Sequence, residues 1–273
     1  MHRLEPGGQK PPGQPREVAA RLHGTTEQEL EGEQSMNIRN ATPNDAPTIL
    51  DMVDLAGEGI PRYLWRTGAR NGESPLEAGL RQMSERQGEF SFTHSRVYAH
   101  QDAVVGVCQA FDLDSVRDRR DIQNCCDVIR GLVELEQMAQ GSWYINALAT
   151  ASSLRGRGVG RALLADSVRR ADALGLRQVS LIVSSNNRPA KALYDRLGFR
   201  FEAQRVAEQF PEQGHGGEWI LMLAETDALI EALPMQAAAL PASETPRHDR
   251  PHPAVAQSER RHAMDSGVLA VGT

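Results

Sequence analysis

Residues 155–160 form an Arg-Gly-Arg-Gly-Val-Gly turn whose composition is typical of an anion-binding loop. The preceding run, Trp143–Ala149, is apolar and β-prone, and the segment from Val159 onward has apolar residues on one helix face. A strand, a glycine-rich turn and a helix in this order bring backbone N–H groups and the positive end of the helix to one spot. The predicted chemistry of this stretch is therefore the binding of an anion.

Two common phosphate-binding patterns do not fit this turn. A dinucleotide fingerprint would require a third glycine where Arg161 or Leu163 stands, and a P-loop would require Lys and Ser or Thr after Gly160. The pattern that does fit is Arg155-x-x-Gly158-x-Gly160. A tight turn that only joins a strand to a helix would have a similar composition and is the structural alternative.

A second group of residues that could do chemistry lies downstream, in a short predicted helix that ends at Gly198. Asn187 precedes Pro189 and is suited to cap this helix. Tyr194 falls on the apolar face, where a buried site must satisfy its hydroxyl group. Either a catalytic tyrosine or a satisfied core tyrosine is consistent with this position.

Together the two segments resemble the GNAT superfamily of N-acetyltransferases. The turn at 155–160 is similar to its R/Q-x-x-G-x-G/A acyl-CoA loop, and Asn187–Phe199 matches its N-x-x-A-x-x-L-Y-x-x-x-G-F segment position for position. The resemblance covers roughly 36–224 and is weak across 57–88 and 115–141. It implies an α/β (α+β) fold with a mixed, mostly antiparallel central sheet flanked by helices and splayed where acyl-CoA binds.

The resemblance also implies an acyl-CoA-dependent N-acyltransferase that uses acetyl-CoA as co-substrate and no metal. In such a site the pantetheine arm pairs with the β-strand main chain, a backbone N–H near Leu148 faces the thioester oxygen, and the loop amides hold the pyrophosphate. Tyr194 would protonate the departing thiolate. The implied cofactor-binding residues are Leu148, Ala149, Thr150, Arg155, Gly156, Arg157, Gly158, Val159, Gly160, Asn187 and Tyr194.

The residue that removes the proton from the acceptor amine is not evident. A lysine-like amine ordinarily has a pKa near 10.4, so a base must act before or during attack. Many family members place a glutamate or histidine on the central strand, but the positions expected to face the acceptor here are Tyr144 and Asn146. The candidates are Glu58, Tyr144 through a water chain, and bulk water. The expected catalytic residues are therefore Tyr194, Glu58 and Tyr144.

The acceptor pocket is expected to be built by the residues 57–65, 112–140 and 214–217. Glu58, Asp112 and Asp114 would favour a cationic amine, and His215 is a further candidate. A small-molecule amine and a peptide N-terminus or lysine both stay open as acceptors.

The elements that must position these residues can be read from apolar periodicity. The order is a strand, two helices, two antiparallel strands, a partly helical charged segment, then strand–helix–strand–helix–strand–strand. The expected bounds are a strand at 36–39, a helix from Thr42 or Asn44, a loop at 57–65, a helix at 75–86, strands at 96–100 and 104–112, a partly helical segment at 112–140, a strand at 178–183, a helix at 189–197, strands at 199–206 and 218–224, and a helix at 227–233.

Composition limits the class of protein. Apolar residues make up 40% and charged residues 24%, and the net charge of −6 argues against a nucleic-acid binder. No apolar run approaches the ~18 residues of a membrane span. The three cysteines show no disulfide or zinc spacing, which favours the reducing cytoplasm and leaves a metal or redox role for the Cys125–Cys126 pair as the minor alternative. A homodimer is one candidate oligomeric state.

Both ends of the chain lack the apolar content of a domain. Residues 1–35 are expected to be a disordered extension, with Met36 as a candidate initiator, 36–225 the acetyltransferase domain, and 226–273 a mostly disordered tail. Two rival functions remain: a non-catalytic acyl-CoA-binding regulatory module, and a nucleic-acid binder. The second would use the basic residues Arg155, Arg157, Arg161, Arg169 and Arg170.

Overall fold

The computed structural model describes residues 38–115, 125–210 and 216–240, which form one twisted sheet with helices on both faces. The strand order is β1-β2-β3-β4-β5-β7-β6, and every neighbouring pair is antiparallel except the parallel pair β4 and β5. The predicted mixed, mostly antiparallel α/β sheet is thereby confirmed. The strands are β1 Ile38–Asn40, β2 Ser95–His100, β3 Ala103–Asp112, β4 Trp143–Thr150, β5 Gln178–Ser184, β6 Arg200–Val206 and β7 Glu218–Glu225.

The helices form two layers that cover the apolar faces of the sheet. Helices α5, α6 and α7 pack on one face, where Leu163, Leu181 and Met222 are fully buried. Helices α1 to α4 pack on the other, around Ile49 and Trp65. The helices are α1 Ala46–Ala56, α2 Ile60–Thr67, α3 Pro75–Ser84, α4 Asp127–Met138, α5 Val159–Ala173, α6 Arg188–Leu197 and α7 Thr226–Ala232.

The loop predicted for residues 57–65 was wrong, because α2 begins at Ile60. Gly59 caps this helix with φ +90°, and Pro61 falls in the first turn, where its missing N–H is tolerated. Ile60 and Trp65 are buried among the side chains of the layer formed by α1 to α4. This packing stabilises a helix whose sequence is typical of a turn. Gly and Pro occur both in loops and at helix starts, which is why the sequence here indicated a loop.

Beyond residue 225 the described chain continues through α7 and an extended segment to Leu240. Leu229, Leu233 and Ala238 of this stretch are buried against α5 and its neighbours. The predictions for 1–35 and for 241–273 lie outside the described residues, so the domain bounds stay predictions.

Three thiols are present: Cys108 is buried, Cys125 partly buried and Cys126 exposed, and none forms a disulfide. Within the described ranges no group of three or more His, Cys, Asp or Glu side chains is arranged to hold a metal. In the same ranges, no helix combines the length and apolarity needed to cross a membrane.

A carboxylate at the start of α1 makes the first testable prediction. Asp45 accepts hydrogen bonds from the Arg39 guanidinium at 2.8 and 2.9 Å and from the Thr42 amide at 2.7 Å. The Arg39 hydrogen bond is the main reason that the pKa of Asp45 falls to about 2. Asp45→Asn should therefore lower the free energy of unfolding by about 1–2 kcal/mol at pH 7, measured by urea denaturation.

The same change should matter less in acid. A depressed carboxyl pKa gives stability that is present above the unfolded pKa near 4 and is lost as pH falls towards about 2. The difference between wild type and Asp45→Asn should shrink between pH 5 and 3, whereas the exposed control Asp227→Asn should change little at any pH. A difference that does not vary with pH would contradict the ion-pair explanation.

Candidate active site

The glycine-rich turn adopts a backbone that its sequence specifically permits. Gly156 has φ +74° and Gly158 has φ +93°, in the left-handed region that glycine enters without strain. Gly158 caps α5, so the amides of the first helical turn point out of the helix start. A Cβ on Gly160 would lie 3.5 Å from Thr150 Oγ1, which places the turn against the end of β4. Backbone N–H groups at a helix start of this kind can bind an anion.

The sheet opens beside this turn. The parallel pairing of β4 with β5 ends at Ile145 opposite Leu181, yet β4 continues to Thr150 and β5 to Ser184. Beyond that point the facing main-chain edges of the two strands no longer bond to each other. A cavity of about 440 Å³ includes residues from both separated edges. The predicted splay of the sheet is present.

Several of the residues predicted from the sequence line this cavity. Those that contribute to its wall are Glu58, Tyr144, Leu148, Ala149, Thr150, Arg155, Asn187 and Tyr194. The remaining loop residues, Gly156, Arg157, Gly158, Val159 and Gly160, lie outside the wall and follow directly on Arg155 at its end. The structure thus brings together residues from one strand, two turns and one helix with its cap that are far apart in sequence.

An irregularity in β4 changes which side chains face the same way. The register with β3 shifts between Gln109 and Ala110, so Asn146 is an extra residue between Ile145 and Ala147. Leu148 therefore packs towards the α5 layer, while Ala147 packs towards the α1 layer. Tyr144 and Asn146, the positions expected to face the acceptor, are therefore not part of one regularly alternating face of β4, although both line the cavity.

Tyr194 is held by a well-defined helix. Asn187 Oδ1 accepts the Ala190 amide at 3.2 Å and caps α6, which ends at Gly198 with φ +97°. The Tyr194 ring is only 9% exposed and contacts Phe199 edge-on at 5.6 Å. Among the described residues its hydroxyl has no hydrogen-bond partner. Burial raises the pKa of Tyr194 to about 12, so the hydroxyl keeps its proton.

The cavity wall between α1 and α4 carries three carboxylates. Glu58, Glu89 and Glu136 line it, together with the apolar side chains Phe90 and Leu132. Glu136 follows Leu132 by one helical turn, a spacing that could have identified it from the apolar stripe of α4. Glu89 lies in an irregular segment and has no such signal.

The other expected acidic residues do not reach this site. Asp112 and Asp114 lie at the end of β3, away from the cavity wall. His215 lies outside the described residues. Its neighbours Gly216 and Gly217 do not line the wall, and the Gly216 carbonyl accepts a hydrogen bond from the Asn186 side chain. Of the carboxylates predicted for the acceptor end only Glu58 lines the cavity, where Glu89 and Glu136 join it.

The arginines of α5 serve the structure of the chain itself. Arg161 donates to the Ala232 carbonyl at 2.6 Å, Arg169 donates to the Leu233 carbonyl at 3.2 Å, and Arg170 stacks 5.4 Å over the ring of Trp143. These three side chains therefore do not form the free basic helix face that a nucleic-acid binder would need.

The segment that follows α7 returns to the glycine-rich turn. The Ala239 amide donates to the Arg157 carbonyl at 2.9 Å, and the Ala238 amide donates to the Tyr98 hydroxyl at 3.3 Å. The turn is therefore contacted by residues that lie beyond 36–224, the part of the chain that carries the resemblance.

Comparison with known proteins agrees with this geometry. A sequence model of the acetyltransferase (GNAT) family matches residues 62–199. The chain belongs to this family. Members of the GNAT family are acyl-CoA-dependent acetyltransferases, so acetyl transfer is the general activity that membership supports. A comparison with curated proteins finds no match.

Solved structures similar to this GNAT chain include two with named activities. One is a ribosomal-protein-alanine N-acetyltransferase from Brucella melitensis, with 19% identity, a TM-score of 0.46, and coverage of 69% of this chain and 98% of the other. Another is a GNAT superfamily phosphinothricin acetyltransferase (Pat) from Sinorhizobium meliloti in complex with AcCoA, with 20% identity, a TM-score of 0.45, and coverage of 70% and 88%. At this level of likeness neither bears on the acceptor of this chain.

Proposed function

We propose that the protein is an N-acetyltransferase that moves the acetyl group of acetyl-CoA to a primary amine by direct attack in a ternary complex. The observation that carries the proposal is the gap between β4 and β5, with Tyr194 on one side and the glycine-rich turn at its end. An extended thiol arm fits such a gap because the unpaired strand edges supply hydrogen-bonding groups.

The donor end of the site uses main-chain groups. The amides of Gly156 to Gly160 and the start of α5 would hold the pyrophosphate, assisted by Arg155 and Arg157. The edge of β4 at Leu148, Ala149 and Thr150 would pair with the pantetheine arm, and an N–H near Leu148 would stabilise the oxyanion that forms on the thioester oxygen. Asn187 would contact the arm from the cap of α6.

The reaction needs one proton removed and one delivered. The amine nitrogen forms a bond to the thioester carbon, the C–S bond breaks, and the amine proton passes to a base. Tyr194 delivers a proton to the departing sulfur. The products are an amide and the free CoA thiol. The candidates for the base stay Glu58, Tyr144 through water, and bulk water.

The acceptor end favours a cationic amine. Three carboxylates, Glu58, Glu89 and Glu136, line the same cavity as a single arginine, Arg155, at the donor end. A second positive charge on the acceptor would gain from this arrangement. Polyamines, basic amino acids and lysine-containing peptides fit this description better than neutral or acidic amines.

A thiol-release screen tests the function. The protein is incubated with acetyl-CoA and polyamines, amino acids or peptides, and free CoA thiol is measured, with acetyl-CoA binding followed separately by calorimetry. Amine-dependent release that is fastest with cationic amines is expected. Tight binding of acetyl-CoA with no release by any amine would contradict the enzyme and favour the regulatory module.

Glu58 occupies a strained backbone position, which gives a second prediction. Its φ of +51° lies in the left-handed region, and the other non-glycine residues with positive φ in the described chain are Gln101 and Asp102 of the β2–β3 turn. Strain at a cavity residue is typical of a functional position. Glu58→Gly should raise the free energy of unfolding by about 1 kcal/mol and lower kcat/KM for a cationic amine by roughly tenfold or more.

Asp102→Gly is the matched control, since it relieves a φ of +64° in a hairpin turn outside the cavity. This variant should gain less stability than Glu58→Gly, because aspartate tolerates the left-handed region better than glutamate, and it should keep full activity. Equal activities of Glu58→Gly and wild type would remove Glu58 from the acceptor site. Urea denaturation and the thiol-release assay measure the two effects.

A further inference from the structure

Two side-chain amides meet at the irregularity in β4. Gln109 is fully buried on β3, and the extra residue Asn146 is half-buried on β4. Asn146 Nδ2 donates to Gln109 Oε1 at 2.8 Å. Asn146 also lines the cavity, between Tyr144 and Leu148. The pair therefore links a buried residue of β3 to a residue of the cavity wall.

The surroundings of Gln109 determine which way its amide points. Its Nε2 faces the main-chain carbonyls of Phe90 and Ser91, each at 3.4 Å, and the Ser95 hydroxyl at 3.5 Å. Carbonyl oxygens only accept hydrogen bonds, so the nitrogen of Gln109 must lie on that side and its oxygen must face Asn146.

The orientation of Asn146 follows from that of Gln109. Because Gln109 Oε1 can only accept, Asn146 must present its NH₂ group to it, and Asn146 Oδ1 must point the other way. No donor to Asn146 Oδ1 is found among the described residues, and this oxygen is not among the buried side-chain atoms that lack a partner. It is thus an accessible, uncharged hydrogen-bond acceptor on a residue of the cavity wall.

We propose that the Gln109–Asn146 pair selects primary amines, with Asn146 Oδ1 accepting a hydrogen bond from one N–H of the acceptor. This inference rests on the proposed amine acetylation. A neutral primary amine has two N–H groups and one lone pair. Asn146 holds one N–H, the lone pair attacks the thioester carbon, and the other proton leaves to the base, so the product amide keeps the N–H that Asn146 binds.

A secondary amine cannot satisfy the same arrangement. Its one N–H must be lost as the amide forms, so the hydrogen bond to Asn146 and the transfer of the proton compete for the same hydrogen. Gln109 acts as a positioning residue, because it fixes the rotation of Asn146 without reaching the cavity wall. An amide does not take up a proton at ordinary pH, so the pair positions the amine and leaves deprotonation to another group.

The experiment compares Asn146→Ala, Asn146→Ser and Gln109→Met with wild type. The acceptors are the primary amine that gives the fastest CoA release in the screen above and the N-methyl derivative of that amine. We expect Asn146→Ala to raise the acceptor KM by roughly tenfold and to leave the acetyl-CoA KM within about twofold. The wild-type preference for the primary amine should be about tenfold or more and should shrink to less than about threefold in Asn146→Ala.

Asn146→Ser keeps an oxygen acceptor and should retain part of the preference. Gln109→Met has a similar side-chain volume but no amide group. It should lose most of the preference for the primary amine, while its acetyl-CoA KM should stay unchanged. Asn40→Ala is the control. Asn40 is an exposed asparagine at the end of β1 that accepts a hydrogen bond from Arg96 and does not line the cavity, so this variant should behave like wild type.

The two proposals fail in different ways. Absence of amine-dependent CoA release in wild type would overturn the proposed function itself. Release that persists with an unchanged acceptor KM and an unchanged primary-to-secondary preference in Asn146→Ala would overturn the amide pair alone. A rise in the acetyl-CoA KM without a change in acceptor preference would also overturn it, because Asn146 would then belong to the donor end.

Discussion

Tyr194→Phe should lower kcat for acetyl transfer by about 100-fold and leave the acetyl-CoA KM nearly unchanged. The substitution removes one oxygen from a ring that is only 9% exposed and keeps the edge-on contact with Phe199. The lost group is a hydroxyl at the cavity that has no partner among the described residues. Ground-state packing is therefore preserved, and the loss falls on the step in which the sulfur leaves.

The pH dependence should identify the role of this hydroxyl. Burial raises the pKa of Tyr194 to about 12, so the proton is in place throughout the range from pH 6 to 10. Activity should rise over this range as the amine loses its proton, with no falling limb from Tyr194. In Tyr194→Phe the same rising limb should appear at lower amplitude, because the amine titrates and the tyrosine does not.

Tyr98→Phe is the control for this prediction. Tyr98 is a second tyrosine of the same core, 4% exposed, and its hydroxyl accepts from the Ala238 amide. Its replacement should leave kcat within about twofold of wild type. If Tyr194→Phe retains wild-type kcat, or if both variants lose activity equally, Tyr194 is not the acid that protonates the thiolate.

Local signals made the glycine-rich turn and the cap of α6 predictable. Gly156, Gly158 and Gly198 adopt positive φ as their turn and cap positions require, and Asn187 caps α6 through its side chain. Such features depend on a few neighbouring residues, so the sequence contains them directly. Apolar, β-prone runs likewise placed β4 and β5 within one residue of their observed bounds.

The carboxylate-lined part of the cavity depended on contacts that no local pattern contains. The irregularity at Asn146 arises because β3 supplies one residue fewer than β4, a property of the strand pair and not of either strand. Glu89 and Glu136 reach the cavity because α4 and the segment before Phe90 pack on the same side of the sheet as Glu58. Tertiary packing therefore decides which carboxylates line the cavity.

The buried glutamine illustrates the same limit. In sequence, Gln109 interrupts an apolar strand and has no evident partner. Its role appears only when the Phe90 and Ser91 carbonyls and the Asn146 amide are placed around it. A polar residue in a buried strand is thus a signal that something must satisfy it, while its partner is set by the fold.

Gly156→Asp should weaken acetyl-CoA binding by roughly 100-fold. Gly156 has φ +74° and nothing within 4 Å of an added Cβ, so aspartate, which tolerates this region, fits without collision. Its carboxylate would face the pyrophosphate proposed at the start of α5. One charge pair at about 6 Å and an effective dielectric constant of 20 is worth about 2–3 kcal/mol, which corresponds to this loss of affinity.

The same helix supplies a matched control at its other end. Gly175 follows α5 with φ +75° and equally open space, so Gly175→Asp introduces the same side chain with the same backbone strain away from the turn. Calorimetry should show wild-type acetyl-CoA affinity for Gly175→Asp. With S-acetyl-pantetheine, which lacks the pyrophosphate, Gly156→Asp should react at the wild-type rate. Equal affinity of the two variants for acetyl-CoA would place the pyrophosphate elsewhere, because the carboxylate at position 156 would then meet no negative charge.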